Sequence, residues 1–301
     1  MTLSELFARF PDDEAAERWF EKQRWPDGPS CPDCGHSGYS RATHHRTMPY
    51  RCTSCCSYFS VRKGTVMQSS KLGYRIWAIA IYLVNTSLKG VSSMKLHRDL
   101  GITQASAWHL LQRIREGFDI AIGKLEGVVE VDEMFVGGKQ KNRHRAQRSK
   151  HSGYDFWGKK PVVGAVQRGG RVIAMPVDSV DGPTLVAFVE GNVRFGSRVY
   201  TDDHGGYEDL MESYMHRTVR HSIGQYVRDY GIHTNTIESL WSMFKRAFIG
   251  VYHQMSFKHL HRYVTEACWH YNVRDLDTLD QMAETVRGMV GKRLRWAELV
   301  A

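Results

Sequence analysis

The residues from 233 to 250 carry a clear helical pattern. Their apolar positions recur at i, i+3, i+4, i+7 and i+11 and comprise Ile237, Leu240, Trp241, Phe244 and Phe248. This spacing predicts an amphipathic helix whose apolar face packs against a core. Asn235 is expected to cap its start and Gly250 to end it. Glu238 and Lys245 are about two helical turns apart, so they lie on one edge of the helix beside the apolar stripe.

Upstream of this helix, the pattern changes to the alternation of apolar and polar residues that is typical of strands. Strands are expected over residues 127–138, 161–168, 171–177, 197–206 and 217–222, and helices over 181–193 and 207–214. The second and third strands are expected to join at a two-residue turn, Gly169-Gly170. This order of elements predicts an α/β domain with a mixed sheet flanked by helices.

Three acidic residues on these elements can meet at one edge of the sheet: Asp132 on the first strand, Asp202 after the fourth, and Glu238 on the closing helix. Carboxylates that lie close together repel one another unless cations neutralise them. Hard oxygen ligands suit Mg²⁺ or Mn²⁺, and two such ions can support phosphoryl transfer. The alternative is that some of these acids are ordinary exposed or capping residues. Glu238 in particular could form a capping box with Asn235.

Helical segments precede the strands, at residues 12–24, 72–84, 92–100 and 104–118. The last two flank the tripeptide Gly101-Ile102-Thr103, and their apolar residues match a helix-turn-helix. The second helix of this unit is expected to expose side chains that can contact bases or phosphates. These residues are Gln104, Ser106, His109, Gln112 and Arg113. A plain helical hairpin is the alternative.

Four of the six cysteines form two C-x-x-C pairs, Cys31 with Cys34 and Cys52 with Cys55, which seventeen residues separate. Two such pairs are typical of a zinc ribbon. Four thiolates complete a tetrahedral Zn²⁺ shell and leave no position for a catalytic water, so the expected zinc is structural. A redox pair or unrelated thiols are the alternative.

The charge of the 301-residue chain favours a polyanionic partner, since its formal net charge is +9 and its pI is about 9.2. Residues 139–160 hold eight lysines and arginines, among them Lys141, Arg143 and Arg145, and one acid. Such a block is either a solvated loop or a guide for DNA phosphates. No apolar run is long enough to span a bilayer, and the first residues lack the apolar core of a signal peptide. A cytoplasmic protein without a membrane partner is therefore expected.

Several motifs of the chain resemble those of the DDE transposases of bacterial insertion sequences, in the family that carries a zinc ribbon before the catalytic domain. The likeness covers nearly the whole chain and rests on residues 24–34, 130–139, 201–203, 233–238, 245–246 and 250–253. It implies an RNase H-like catalytic fold and two divalent ions. It also implies that Asp132, Asp202 and Glu238 form the catalytic triad and that Lys245 lies near the donor DNA.

The resemblance implies a transposase that binds the terminal inverted repeats of its element as double-stranded DNA, cuts there, and joins the freed 3′-hydroxyl to target DNA. Pairing of two ends implies a homodimer or a larger assembly. The expected domains are a helix and zinc ribbon at 1–70, a helix-turn-helix unit at 71–123, and a catalytic domain with a helical tail at 124–301. A DNA-binding regulator without chemistry and a metal-dependent nuclease that cuts without joining are the alternatives.

Overall fold

The computed structural model describes residues 1–45, 47–138, 158–219 and 231–301. The chain divides into two compact units. The first contains Met1–Ile120 together with Val273–Ala301, and the second contains Ala121–Asn272. Among the described helices, none combines the length and the apolar character needed to cross a membrane.

The first unit opens with two helices and a small antiparallel sheet. Helices α1 and α2 span Leu3–Arg9 and Asp13–Arg24, and strands β1, β2 and β3 span Tyr39–Arg41, Tyr50–Cys52 and Tyr58–Phe59. Asp12 caps α2 by accepting a hydrogen bond from the Ala15 amide, as the expected helix over 12–24 requires. The Tyr50 hydroxyl donates to Glu21 Oε1 at 2.7 Å, which ties the small sheet to α2.

Three more helices complete the N-terminal part of this unit: α3 over Tyr74–Thr86, α4 over Ser93–Leu100 and α5 over Gln104–Phe118. The turn between α4 and α5 begins at Gly101, whose φ of +63° is a left-handed conformation that favours glycine. The Thr103 hydroxyl then caps α5 by accepting from the Ser106 amide. The helix, turn and helix therefore lie where the pattern predicts them.

The C-terminal segment packs in this first unit, although the sequence analysis assigned it to the catalytic domain at 124–301. Its helices are α9 over Thr278–Gly288 and α10 over Trp296–Val300. Inside the unit, Asn85 Nδ2 of α3 donates to Thr285 Oγ1 of α9 at 3.1 Å. Gly117 of α5 gives Met289 room to approach, since a Cβ at this glycine would lie 2.9 Å from Met289 Cγ. Burial of this face joins the segment to α3 and α5.

The second unit is a five-stranded sheet with helices on both faces. Its strands are β4 over Val128–Val136, β5 over Lys160–Gln167, β6 over Val172–Pro176, β7 over Arg198–Asp202 and β8 over Met215–Val219. They lie in the order β6-β5-β4-β7-β8. The pairs β6-β5 and β5-β4 are antiparallel, and β4-β7 and β7-β8 are parallel. The predicted mixed α/β sheet is confirmed.

The helices of the second unit are α6 over Gly182–Asn192, a 3₁₀ helix over Gly205–Glu212, α7 over Asn235–Ala247 and α8 over Leu260–Asn272. Residues of α7 and α8, such as Leu240, Trp241 and Val264, bury one face of the sheet. Leu185 of α6 and Leu210 of the 3₁₀ helix bury the other. The sheet is thus the middle of three layers.

Two details differ from the pattern-based expectation. The amide of Gln167 donates to the carbonyl of Arg171, so the hairpin between β5 and β6 closes around three residues, 168–170, where two were expected. Helix α7 ends at Ala247, and a π-helical turn over Phe248–Tyr252 contains Gly250. The expectations of a two-residue turn and of a helix end at Gly250 were wrong.

Candidate active site and zinc site

Asp132, Asp202 and Glu238 lie on three different elements, and all three residues are on the same face of the sheet. Asp132 is on β4, Asp202 is the last residue of the neighbouring strand β7, and Glu238 is in the first turn of α7. Side chains alternate along a strand, so Asp132 faces the same layer as Met134, which packs in the core beneath α7. The fold therefore brings the three predicted acids to one region.

The carboxylates of this region interact electrostatically. Burial raises the pKa of Asp132 well above its usual value, and the charges of Glu133, Asp202 and Glu238 raise it further. This set of hard oxygen donors fits a divalent cation, because a cation would relieve the repulsion among them. Within the described residues, the oxygen atoms of the three carboxylates do not lie as close to one another as the cysteine sulfur atoms do.

Glu238 accepts a hydrogen bond at Oε1 from the Thr234 hydroxyl, at 3.0 Å. Thr234 is the residue that precedes α7, and Asn235 is its first helical residue, so the expectation that Asn235 caps the helix was wrong. The amides of Thr236 and Ile237 are those that a side chain at Thr234 would cap, and both donate to Glu130 of β4 instead. The Asn235 amide, which a capping box would give to the Glu238 carboxylate, donates to His233 Nδ1. Glu238 therefore forms no capping box with Asn235.

Lys245 lies in the last turn of α7, and its side chain is exposed. It projects from the same helix as Glu238, and within the described part of the chain its ammonium group forms no ion pair. Its position leaves the ammonium group accessible to an anionic ligand. The predicted contact with donor DNA stays a prediction.

Sequence reasoning did not assign a role to Glu130, Glu133 or Arg168. Glu133 lies on the opposite face of β4 from Asp132, where the Tyr207 hydroxyl donates to its Oε2 at 2.7 Å. Burial, and then the charge of Asp202, raises the pKa of Glu133. Glu130 is fully buried and pairs with Arg168 Nε at 2.7 Å. The only sequence signal was the density of acids in the run from Glu130 to Glu133.

The four cysteines of the two C-x-x-C pairs converge. Their sulfur atoms all lie within 4.8 Å of one another, and the Cys31–Cys55 and Cys34–Cys52 sulfur pairs are both 3.6 Å apart. Zinc–sulfur bonds of about 2.3 Å in a tetrahedron place the sulfurs about 3.8 Å apart, so the cluster fits structural Zn²⁺. The Cys55 amide lowers the pKa of the Cys52 thiol to about 6, whereas the neighbouring thiols raise that of Cys55 to about 12. Zinc binding requires all four cysteines as thiolates.

The predicted DNA-contacting side chains of α5 differ in their exposure. Gln104 is exposed, with its Nε2 donating to Ser93 Oγ at 2.9 Å, and Ser106 Oγ accepts from the Thr103 hydroxyl. The expectation that α5 exposes Gln112 was wrong, because this side chain is fully buried. The start of α5 is therefore its accessible end.

The C-terminal segment contacts the middle of α5. His109 Nε2 and Arg113 Nε both lie within hydrogen-bond distance of the Leu294 carbonyl, at 3.4 and 3.1 Å. Trp296 packs its ring against Trp108 and His109. Burial lowers the pKa of both His109 and Arg113. These two side chains line an open cavity of about 240 Å³ together with Ser106 and Lys71.

Lys141, Arg143 and Arg145 lie outside the described residues.

Comparison with known protein families gives two matches. Residues 124–272 match the model of the ISXO2-like transposase domain. Residues 11–58 match the model of the transposase zinc-ribbon domain. The two matches cover the sheet with the acidic cluster and the ribbon with the four cysteines.

Individual relatives give further similarities. The chain is 28% identical over 251 residues to an uncharacterized protein in transposable element ISH50 of Halobacterium salinarum, over 79% of this chain and 83% of that protein. Among solved structures, it is similar to a pre-cleavage Mos1 transpososome at 11% identity, with 70% of this chain and 80% of that chain covered and a TM-score of 0.28. The chain is also similar to the Mos1 strand transfer complex, at 10% identity, with 73% of this chain and 79% of that chain covered and a TM-score of 0.25. Both TM-scores lie below the range that indicates a shared fold.

Proposed function

We propose that this chain, which belongs to the DDE transposase family that carries a zinc ribbon, cuts DNA at the ends of its insertion sequence and joins the freed 3′-hydroxyl to target DNA. The observation that carries the proposal is the location of Asp132, Asp202 and Glu238 on one face of the sheet, where burial, and then the charges of Glu133, Asp202 and Glu238, raise the pKa of Asp132. A cluster of carboxylates of this kind binds divalent cations more strongly than isolated carboxylates do.

In this proposal Asp132, Asp202 and Glu238 hold two Mg²⁺ or Mn²⁺ ions. Such ions, when bound, activate an attacking water or hydroxyl and stabilise the leaving oxygen of a phosphodiester. The Thr234 hydroxyl orients the Glu238 carboxylate by donating to one of its oxygens. Lys245, exposed farther along α7, contacts a phosphate of the donor DNA.

The DNA contacts fall to the basic surface of the chain. The net charge of +9 favours sequence-independent phosphate contacts. In the first unit, the zinc ribbon and the exposed start of α5, with Gln104, recognise the terminal inverted repeats. The basic residues of the 139–160 block guide phosphates towards the acidic cluster. Pairing of two element ends requires at least two copies of the chain in the active assembly.

Cleavage and strand-transfer assays test this function. The substrate is a duplex that carries the terminal repeat of the element, incubated with a target plasmid and Mg²⁺ or Mn²⁺. The expected products are a cut end and a joined molecule, and neither forms with EDTA or with a scrambled repeat. Cutting without joining would indicate a metal-dependent nuclease. Binding without cutting would indicate a DNA-binding regulator, and either outcome would contradict the proposal.

A further inference from the structure

Glu130 is a buried carboxylate on β4, two residues before Asp132 and on the same face of the sheet. Its Oε1 accepts from Arg168 Nε at 2.7 Å and from the Thr236 hydroxyl at 2.9 Å, and lies 3.2 Å from His233 Nδ1. Its Oε2 accepts from the amides of Thr236 and Ile237 at 2.8 and 3.2 Å. A charge buried to this degree is stable only when it is paired in this way.

Two of these donors are amides in the first turn of α7. Amides at a helix start have no partner within the helix, and a negative charge there is favourable. Thr234, the residue before α7, makes no capping hydrogen bond through its side chain. A carboxylate from the sheet therefore takes the place of a local cap, and it fixes the start of α7 to β4.

Arg168 fixes the segment that leads into α7. Its Nη1 donates to the Gly231 carbonyl at 2.8 Å, and its Nη2 donates to the His233 carbonyl at 2.9 Å. Its guanidinium lies 5.0 Å from the centre of the Tyr200 ring on β7. The Glu130–Arg168 pair thus connects β4, the hairpin after β5 and the start of α7.

We propose that Glu130, supported by Arg168, is a positioning residue that sets where Glu238 lies relative to Asp132. Glu238 follows Ile237 directly in α7, so a helix start that is held by Glu130 also holds the Glu238 backbone. Asp132 follows Glu130 on the same strand, so one element positions both acids. This inference rests on the proposed role of Glu238 as a metal ligand.

Binding of Mn²⁺ to four proteins tests the inference: the parent, Glu130→Gln, Glu238→Gln and the double variant. Free Mn²⁺ is measured by electron paramagnetic resonance, without DNA and well below the melting temperature of each protein. Gln keeps the shape of Glu130 but has one acceptor oxygen in place of two, so the start of α7 loosens. Each single substitution is expected to weaken Mn²⁺ binding about tenfold, in line with groups that orient metal ligands. The double variant is expected to bind no more weakly than Glu238→Gln.

The matched control is Glu126→Gln. Glu126 lies just before β4, and its exposed carboxylate pairs with Arg194. The control variant is expected to bind Mn²⁺ like the parent. If Glu130→Gln does not fold, Arg168→Gln loosens the same network from its partly exposed side, since Arg168 is 26% exposed. The same affinities are then measured with that variant.

Three results would overturn the inference. Parental affinity in Glu130→Gln, with a loss in Glu238→Gln, would remove the positioning role and leave the proposed function intact. Losses that multiply in the double variant would mean that Glu130 acts through its charge and not through Glu238. Parental affinity in Glu238→Gln would contradict both this inference and the assignment of Glu238 as a ligand.

Discussion

Neighbouring residues of β4 serve opposite faces of the sheet. Asp132 faces the layer of α7, and Glu133 faces Tyr207, which is fully buried in the other layer. Burial raises the pKa of both carboxyl groups. Tyr207 therefore gives Glu133 a polar partner in a region that already holds other negative charges.

Replacement of Tyr207 by Phe tests this contact at the level of one hydroxyl. The substitution keeps the ring but removes a donor from a largely buried carboxyl group, so the free energy of unfolding is expected to fall by about 1–3 kcal/mol. Urea denaturation measures the change. Tyr39→Phe is the control, since Tyr39 is 40% exposed, and it is expected to change little. Equal stability of the Tyr207→Phe protein and the parent would show that the hydroxyl contributes nothing.

Polar positions were harder to predict than apolar ones for a physical reason. Asn235 has the chemistry of a helix cap, but Glu130, 106 residues away in sequence, accepts the hydrogen bond from the Thr236 amide in the first turn of α7. Gln112 has the chemistry of a base contact, but packing buries it. In both cases a long-range contact, which the local pattern does not contain, decides what the side chain does.

At the scale of elements, the close approach of α7 to the sheet depends on a glycine. Gly164 of β5 lies opposite Asp132 in the register, and a Cβ there would come within 2.6 Å of Trp241 Cη2. Trp241 follows Glu238 by one helical turn on α7. Absence of a side chain at Gly164 thus allows the helix that carries Glu238 to pack directly on the sheet.

Gly164→Ala is therefore expected to lower the free energy of unfolding by about 1–3 kcal/mol, because the rigid indole must shift. Gly191→Ala in α6 is the matched control, since nothing lies within 4 Å of its Cβ position. A glycine replaced by alanine inside a helix stabilises by up to about 1 kcal/mol, so the control changes stability in the opposite direction. Urea denaturation of both variants gives the comparison. A Gly164→Ala protein as stable as the control would contradict this packing.

The periodic pattern predicted the strands and helices of the second unit well because both faces of its sheet are buried. The stripe of α7 reports burial directly, whereas the alternation in β4 marks its apolar positions but not Glu130, which is fully buried. The pattern did not give the end of α7, since Ala247 continues into the π-helical turn with no change in polarity. It also did not give the hairpin length, because Gly169 and Gly170 satisfy the chemistry of two-residue and three-residue turns alike.

The zinc ribbon is expected to bind close to one Zn²⁺ per chain, because four thiolates complete the shell. A Cys31→Ser, Cys52→Ser double variant is expected to lose the metal and to melt at a lower temperature, since so small a sheet is stabilised mainly by metal binding. Elemental analysis and differential scanning calorimetry measure the two effects. Cys56→Ser, at an exposed cysteine outside the cluster, is the control. A parent without zinc, or a double variant with parental melting and parental binding of the terminal repeat, would contradict the assignment of the four cysteines as a structural zinc site.

At the scale of the whole molecule, the C-terminal helices belong to the unit that contains α3 and α5, not to the sheet unit. The apolar stripe of α9 indicates that the helix packs, but it does not indicate against which partner. The contact between Asn85 and Thr285 joins residues 200 positions apart, and no local pattern predicts it. Domain bounds drawn from the order of elements therefore missed this return of the chain.

The charge of the molecule gives a further expectation, about DNA affinity. Replacement of Lys141, Arg143 and Arg145 by Gln is expected to flatten the dependence of log affinity on log salt, because fewer counterions are released on binding. Fluorescence anisotropy with a terminal-repeat duplex at several salt concentrations measures the slope. The same charge change at the exposed residues Arg9, Arg18 and Lys22 is the control. A slope equal to that of the parent would identify the 139–160 block as a solvated loop.

The central claim is that three carboxylates on one face of the sheet carry metal-dependent DNA joining. Strand transfer of a terminal-repeat duplex into a target plasmid, with Mg²⁺, is measured for the parent and for Asp132→Asn, Asp202→Asn and Glu238→Gln. Gln still accepts the hydroxyl of Thr234 but lacks the charge that a metal ligand needs, so it separates the structural role from the catalytic one. All three variants are expected to fold and to bind the duplex like the parent, and to join no DNA above the level seen with EDTA. Near-parental joining by Glu238→Gln would contradict the claim and point to Asn235 or Asp203 as the missing partner.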